Sequence, residues 1–256
     1  MGKLGNNISA LLITLNEENN IDEVLQNLSF VDEIIVVDSY STDKTVQKIK
    51  EYKDVKLIQR EFKNYTDQKE FALSQATNEW VLFLDADERI TPELKKEILE
   101  VTQETNNSVS AYYFLRQFMF ENQVLRFSGW QTDKNYRLFK KDNVHFDKEK
   151  IVHETLVVKG DSATLKNKLI HYSYSNYKDY KGKMVKYGEM KALEEFRKGK
   201  KARFYHFLFR PFYKFFNHYI LRLGVLDGKK GIIICYLNAL GVYSRFKKLK
   251  QLHKNN

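Results

Sequence analysis

Short apolar runs recur through the first hundred positions, separated by stretches whose apolar residues fall three and four apart. Ile8 to Leu15 reads as a strand, and Ile21, Val24, Leu25 and Leu28 share one face of a helix. Glu33-Ile34-Ile35-Val36-Val37-Asp38 is a second strand that ends in a carboxylate. Ser41-Thr42-Asp43 offers capping oxygens to a helix over Thr45-Val46-Gln47-Lys48-Ile49. Val55 to Ile58 predicts a third strand, Thr66 to Gln75 a helix, and Trp80-Val81-Leu82-Phe83-Leu84 a fourth, fully buried strand. Strands alternating with helices imply a mostly parallel sheet with right-handed crossovers, an α/β class.

The pattern then changes twice. From about Ala111 short apolar-aromatic strands follow, at Tyr112–Leu115, Tyr136–Phe139 and Thr155–Val158. From Asn176 the chain is basic and helical, with Phe204, Phe207, Leu208, Pro211, Phe212, Phe215, Phe216 and Tyr219 at three- and four-residue spacings. No internal repeat or low-complexity linker interrupts it. The expected organisation is a domain over 1–175, in halves 1–110 and 111–175, followed by a helical extension over 176–256.

Composition narrows the class. The 256 residues are 43% hydrophobic with only 2 Pro and 11 Gly, enough for a sizeable core and unlike collagenous or disordered chains. The single Cys235 excludes a disulfide framework and a Cys-based zinc site, and suits a reducing compartment. Leu11-Leu12-Ile13-Thr14-Leu15 is too short for a secretory signal and runs into Glu17-Glu18; Asn6 stands where myristoylation wants Ser or Thr. A cytoplasmic protein is expected.

The formal charge of +10 is unevenly spread. Residues 1–100 carry 12 Lys+Arg against 20 Asp+Glu, a balance of −8, whereas residues 176–256 carry 20 against 5, a balance of +15. The basic tail therefore faces any large anionic partner. Nucleic acid is disfavoured because no recognised RNA or DNA motif accompanies the charge. A basic amphipathic helix with aromatics on its apolar side suits an anionic membrane interface, and the apolar run Ile232–Tyr243 is too short to span one. Packing of the same aromatics onto the rest of the protein is the competing expectation.

Candidate chemistry begins at Asp85-Ala86-Asp87, directly after the fourth strand. Ligands of open α/β sheets bind beyond the carboxyl ends of such strands. Two carboxylates with one spacer can share a hard divalent cation, Mg²⁺ or Mn²⁺, that holds a phosphate. The same acids could equally cap a helix beginning near Pro92. Asp38 ends a neighbouring strand, where it can accept from a ribose hydroxyl or a base N–H. There is no Gly-x-Gly-x-x-Gly and no Gly-Lys-Ser/Thr, so dinucleotide and P-loop readings fail.

Thr14-Leu15-Asn16-Glu17-Glu18, Val36-Val37-Asp38-Ser39-Tyr40-Ser41-Thr42-Asp43-Lys44-Thr45 and Leu84-Asp85-Ala86-Asp87-Glu88, taken in order, resemble a family 2 inverting glycosyltransferase of the GT-A fold. Gln68–Leu73, Gly129-Trp130, Arg137-Leu138-Phe139, Val152-His153-Glu154 and His171-Tyr172-Ser173 extend the match and are similar to the lipopolysaccharide core β-1,4-glucosyltransferase branch. The resemblance covers residues 8–175 and continues more loosely to 250. It implies that Thr14, Asn16 and Glu17 line a nucleotide pocket, that Asp38 binds base or ribose, and that Lys69 approaches the nucleotide. Asp85 would contact ribose or metal-bound water, and Asp87 would ligate the cation. Ser39 follows Asp38 where the family commonly has a second acid, so nucleotide recognition rests on Asp38.

The resemblance also implies one general base for the acceptor hydroxyl. The usual Glu-Asp pair is absent; Glu154 is the first candidate and Asp133 the reserve, each competing with a plain surface acid. His153 is a candidate contact to metal or diphosphate. Trp130 offers a sugar-stacking platform or core packing, and Arg137 either neutralises diphosphate or lies at a solvated strand edge. His145, His153 and His171 lack zinc spacing. The expected activity is transfer of a sugar, glucose first, from a UDP-sugar to a lipid-linked saccharide such as the lipopolysaccharide inner core, by a peripheral protein on the inner membrane face. Competing expectations keep the fold but glycosylate a capsule, another glycolipid or a peptide, or make it a non-catalytic membrane-binding module.

Overall fold

A computed structural model describes residues 6–105, 107–121, 123–130, 133–147, 155–174 and 176–254. The strands are β1 (Ile8–Thr14), β2 (Glu33–Asp38), β3 (Val55–Gln59), β4 (Trp80–Leu84), β5 (Glu88–Arg89), β6 (Val109–Phe120), β7 (Gln123–Leu125), β8 (Lys134–Lys140), β9 (Val144–Phe146), β10 (Leu156–Val158) and β11 (Asp161–Tyr174). The helices are α1 (Ile21–Asn27), α2 (Thr45–Ile49), α3 (Tyr65–Gln75), α4 (Pro92–Gln103), α5 (Tyr177–Arg197), α6 (Phe204–Phe216) and α7 (Gly228–Lys254). The main sheet runs β3-β2-β1-β4-β8-β6-β11-β5, with β7 on β6, while β9 and β10 form a separate antiparallel pair. β1, β2, β3 and β4 are parallel; β8 reverses direction between β4 and β6.

The chain divides into two compact units, Met1–Arg116 with Lys134–His171, and Gln117–Asp133 with Tyr172–Asn256. In the first, strand alternation sorts side chains onto two faces. Ile8, Ala10, Leu12, Val36, Leu82 and Leu84 join Ile21, Val24 and Leu25 of α1 and Leu94 and Ile98 of α4 in one core cluster. Leu11, Ile35, Val37, Val81 and Phe83 join Ala72 and Leu73 of α3 in the other. Both faces of the central strands are thus covered, as an α/β sheet requires. Asp85 follows Val81 and Phe83 in the alternation, which directs it towards the α3 side.

The helix after the acidic run is capped elsewhere. Thr91 Oγ1 accepts from the Leu94 N–H at 3.2 Å, and Pro92 occupies the first turn. The cap reading of Asp85 to Glu88 is therefore set aside. The long β11 and the two-residue β5 lie beyond what hydrophobic pattern predicts, since Lys166, Asn167, Lys168 and His171 break up the apolar residues of β11 and β5 exists only through its register, Glu88 opposite His171.

The second unit is built on α5 and α7, which cross where neither has a side chain. A Cβ on Gly188 would lie 2.2 Å from the Gly241 carbonyl oxygen, so this pair of glycines sets how closely the helices approach. Phe118, Phe120 and Leu125 pack with Tyr180, Ile234 and Leu237, which ties Gln117–Asp133 to the helices. Buried Asp227 adds a polar clasp, accepting from the Arg126 N–H (2.9 Å), the Phe127 N–H (3.0 Å) and the Ser128 hydroxyl (2.7 Å). No helix among the described residues is long and apolar enough to cross a membrane.

His218 lies against this clasp, with Nδ1 2.8 Å from the Ser128 carbonyl oxygen. Burial, then the neighbouring Lys214 charge, depresses its pKa from 6.5 to about 4. A histidine neutral when folded and charged when unfolded contributes stability above its unfolded pKa, and that contribution fades as the pH falls towards the folded value. The thermal midpoint should therefore fall between pH 6.5 and about 4. His218→Gln should flatten that fall, measured by circular dichroism melts across the range.

Candidate active site

Three strand ends and one turn converge in the first unit. The turn Asp85-Ala86-Asp87-Glu88 closes on itself: the Glu88 N–H donates to the Asp85 carbonyl (3.0 Å), and the Asp85 N–H donates to Glu88 Oε2 (3.1 Å). Buried Arg89 fixes its back, Nη1 donating to the Ala86 and Glu88 carbonyls at 2.7 and 2.8 Å and Nη2 to the Asn20 carbonyl at 3.1 Å. The turn thus points Glu88 inward, fully buried, and leaves Asp85 and Asp87 part-exposed, with 37% and 27% of their side-chain surfaces open.

β8 supplies the counter-charge. Arg137 is 4% exposed and its Nη2 bonds both Asp85 and Glu88, the latter at 2.6 Å. Arg116 Nη1 lies 3.7 Å from the same Glu88 oxygen. Burial alone would raise the Asp85 pKa, but Arg137, then Lys69 and His171, outweigh it and hold the carboxyl well below its usual range. Glu88 moves the other way: burial dominates, and Asp85 adds to it against Arg137. Arg137 is held more firmly protonated by the same pair. A buried guanidinium between two carboxylates replaces the solvated strand edge as the reading of this residue.

Of the residues anticipated from sequence, Asp85, Asp87, Arg137 and Lys69 come together here. Lys69 is buried on α3, 5.5 Å from the Phe83 ring centroid. Glu17 is electrostatically linked to them: burial, then the charges of Asp87 and Asp85, push its pKa up, opposed by a hydrogen bond from Asn20. Thr14, Asn16 and Asp38 organise an adjoining loop. Buried Asp38 accepts from the Thr14 hydroxyl (3.0 Å), the Ser41 N–H (2.9 Å), the Ser41 hydroxyl (2.5 Å) and the Gln59 amide (3.4 Å). Asn16, in a left-handed conformation at φ 58°, accepts from the Thr42 N–H at 2.8 Å.

His153 and Glu154 lie outside the described residues. Asp133 and Trp130 belong to the second unit, where Trp130 stacks on Phe118 with ring centroids 4.0 Å apart. Glu88 and His171 stood only within the motifs of the resemblance, with no role of their own, and Arg116 carried no sequence signal. His171, brought by the β11–β5 register, places Nε2 3.4 Å from Asp87 Oδ2.

Among the described residues no group of three or more His, Cys, Asp or Glu forms a ready metal cage. The outward pair Asp85 and Asp87 nevertheless fits the chemistry of a small hard cation. Mg²⁺-type ions are bound through one or two carboxylates and complete their shell with substrate phosphates and water. Glu17 lies near them, its pKa raised first by burial and further by the Asp87 and Asp85 charges.

The sequence model of Glycosyl transferase family 2 matches residues 9–160, and the chain belongs to that family. Its helix-flanked sheet, parallel over β3-β2-β1-β4, is the GT-A fold, with C-terminal helices added. The chain is 27% identical over 250 residues to the lipopolysaccharide core biosynthesis glycosyltransferase LpsC of Rhizobium meliloti (strain 1021), covering 93% of this chain and 92% of that protein. It is 29% identical to an uncharacterized glycosyltransferase of Rickettsia bellii (strain RML369-C), covering 96% and 86%. The crystal structure of S. aureus TarS 1-349 in complex with UDP aligns with 97% of this chain and 92% of its own length at 18% identity and a TM-score of 0.48.

Removing the central cation tests the network. Arg137→Met leaves two carboxylates facing each other without it and should cost about 3–5 kcal/mol, towards the lower end because Arg116 remains near Glu88. Glu88→Gln, which keeps a hydrogen-bonding group, should cost less. Urea midpoints of the two variants decide it.

Proposed function

We propose that the protein is an inverting glycosyltransferase that moves a hexose, glucose in the first instance, from a UDP-sugar to a lipid-linked saccharide such as the lipopolysaccharide inner core. The carrying observation is the outward pair Asp85 and Asp87 at the carboxyl end of β4, in a chain of family 2 whose curated relative is named for lipopolysaccharide core biosynthesis. Asp87, with Asp85, would hold Mg²⁺ or Mn²⁺, and His153 is a further contact in this reading. When bound, the cation neutralises charge developing on the leaving diphosphate.

The chain's own residues do the rest. Arg137, Lys69 and His171 favour the ionised form of Asp85, the form that accepts. Thr14, Asn16, Glu17 and Asp38 shape the nucleotide pocket, and because the Asp38 oxygens already receive four donors, a base or ribose contact there exchanges with one of them. Glu154, with Asp133 as reserve, accepts the proton of the acceptor hydroxyl. The hydroxyl oxygen bonds to the anomeric carbon as the bond to the diphosphate oxygen breaks on the opposite face, and the configuration inverts. Trp130 is the acceptor-side residue in this reading. The protein would work as a peripheral protein on the cytoplasmic membrane face, held to anionic lipid by the 20 Lys+Arg, against 5 Asp+Glu, of residues 176–256.

Two variants test the chemistry. Asp87→Ala should abolish transfer from UDP-glucose at saturating Mn²⁺; ordinary turnover by that variant would remove the metal assignment. Glu154→Gln should bind UDP-glucose as the parent does, by calorimetry, while losing transfer by roughly a hundredfold or more, the scale of general-base catalysis. Transfer that survives passes the role to Asp133.

A further inference from the structure

The helix α6 is dressed on the wrong side for a water-soluble protein. None of its residues is fully buried. Phe204, Leu208, Phe212 and Phe216 fall four apart, and Tyr205, Phe209 and Tyr213 form the next row, so together they cover about half the helix circumference. Exposure in this set runs from 85% at Phe204 down to 36% at Tyr205. At about 200 Å² for a whole aromatic side chain, the open surface of this set is on the order of 700 Å². That exceeds the largest apolar patch of an ordinary monomer.

The helix does have a packed side. His206 stacks on Phe246 of α7 with ring centroids 4.6 Å apart, and Phe207 makes edge contacts with Tyr243 and Phe246. The open aromatic rows are therefore additional to the contact that holds α6 in place. The surface continues past the helix through Ile220, Leu221, Leu223, Val225 and Leu226, all exposed. Leu223 adopts φ 56°, a left-handed conformation that leucine rarely takes.

Charge identifies the receiver. Arg203, Arg210 and Arg222 are exposed along the same segment, within a stretch whose balance is +15. A second copy of the chain would bring like charges together, whereas a bilayer offers hydrocarbon to the rings and phosphates to the arginines. At 13 residues α6 is about 20 Å long, short of the roughly 30 Å hydrocarbon layer. Spanning is excluded for it; lying in the interface plane is not.

We infer that α6 and the segment to Leu226 form an interfacial anchor, with Phe204, Leu208, Phe209, Phe212 and Tyr213 inserted below the headgroups, so that apolar insertion and not charge alone holds the protein to the membrane. The inference rests on the peripheral-membrane reading above and adds its dominant force. It predicts a different response to salt: ion-pair attraction is screened, while apolar insertion is not.

The test is partition of the full chain onto phosphatidylcholine vesicles with and without phosphatidylglycerol, at low and high salt. The parent should favour the anionic vesicles at low salt and stay bound to them when salt is raised. Phe209→Ser with Phe212→Ser should lower the partition coefficient roughly a hundredfold, about tenfold per ring withdrawn from hydrocarbon. Because both rings are solvent-exposed, the thermal midpoint should not move, which separates lost insertion from lost folding. Full release by salt, with the double variant binding like the parent, overturns insertion but leaves the electrostatic attachment standing. No binding to either vesicle overturns both. Sedimentation showing a dimer that the double variant dissolves would assign the face to a second copy and overturn the inference. UDP-sugar hydrolysis, read in parallel without vesicles, reports on the transfer reading alone.

Discussion

Arg137 carries a full positive charge at a position almost closed to water, and the site takes its form from that fact. An unpaired charge there would be prohibitive, so Asp85 and Glu88 must be present, ionised in sum and correctly placed. The requirement fixes the end of β4, because Asp85 must reach across to β8. It also fixes the turn, because Glu88 must fold back under Asp85. The exposed oxygen surface of Asp85 and Asp87 is what remains once the buried partners are satisfied. A carboxylate held ionised by buried cations is a dependable acceptor, which is the property a hard cation needs in a ligand.

Much of the first unit was legible in the order of residues. β2, α2 and β4 lie where hydrophobic runs and flanking polar residues place them, because each is local and its period is clean. Asp38 and Asp85 were legible as acids at strand ends because each comes directly after a buried apolar run. The pairing of Arg137 was not, since nothing local in Tyr136-Arg137-Leu138 says that two carboxylates distant in sequence lie across the sheet. His171 was hidden for the same reason: β5 is two residues long, and only its register with β11 brings Asp87 and His171 together. Arg116 sits within a long aromatic strand whose pattern signals core, not counter-charge. Thr91 could have been found, as Thr-Pro before a helical run is a start signal in its own right.

The second unit follows a different economy. Its helices approach through glycine at Gly188 and Gly241, and its connecting loops are held by one buried carboxylate, Asp227. Periodicity announced aromatic helices but not which rings would be packed. Tyr180 and Phe246 went inward, while Phe209 and Phe212 did not. That choice depends on the partner helix available to each, and spacing alone carries no record of it. Cys235 went inward as well, and burial pushes its thiol up to about 11, which leaves it unreactive in the folded unit.

The saturated carboxylate of Asp38 has an entropic consequence. Thr14, Ser41 and Gln59 lie on three separate segments, and all are tied to it before any ligand arrives. A loop arranged in this way gives up its freedom during folding. A ligand entering beside it need not supply free energy to order those segments again, so more of its contact energy survives as affinity. In the proposed nucleotide pocket the hydrogen bonds that occupy Asp38 would therefore work on binding indirectly, through a wall already arranged by folding.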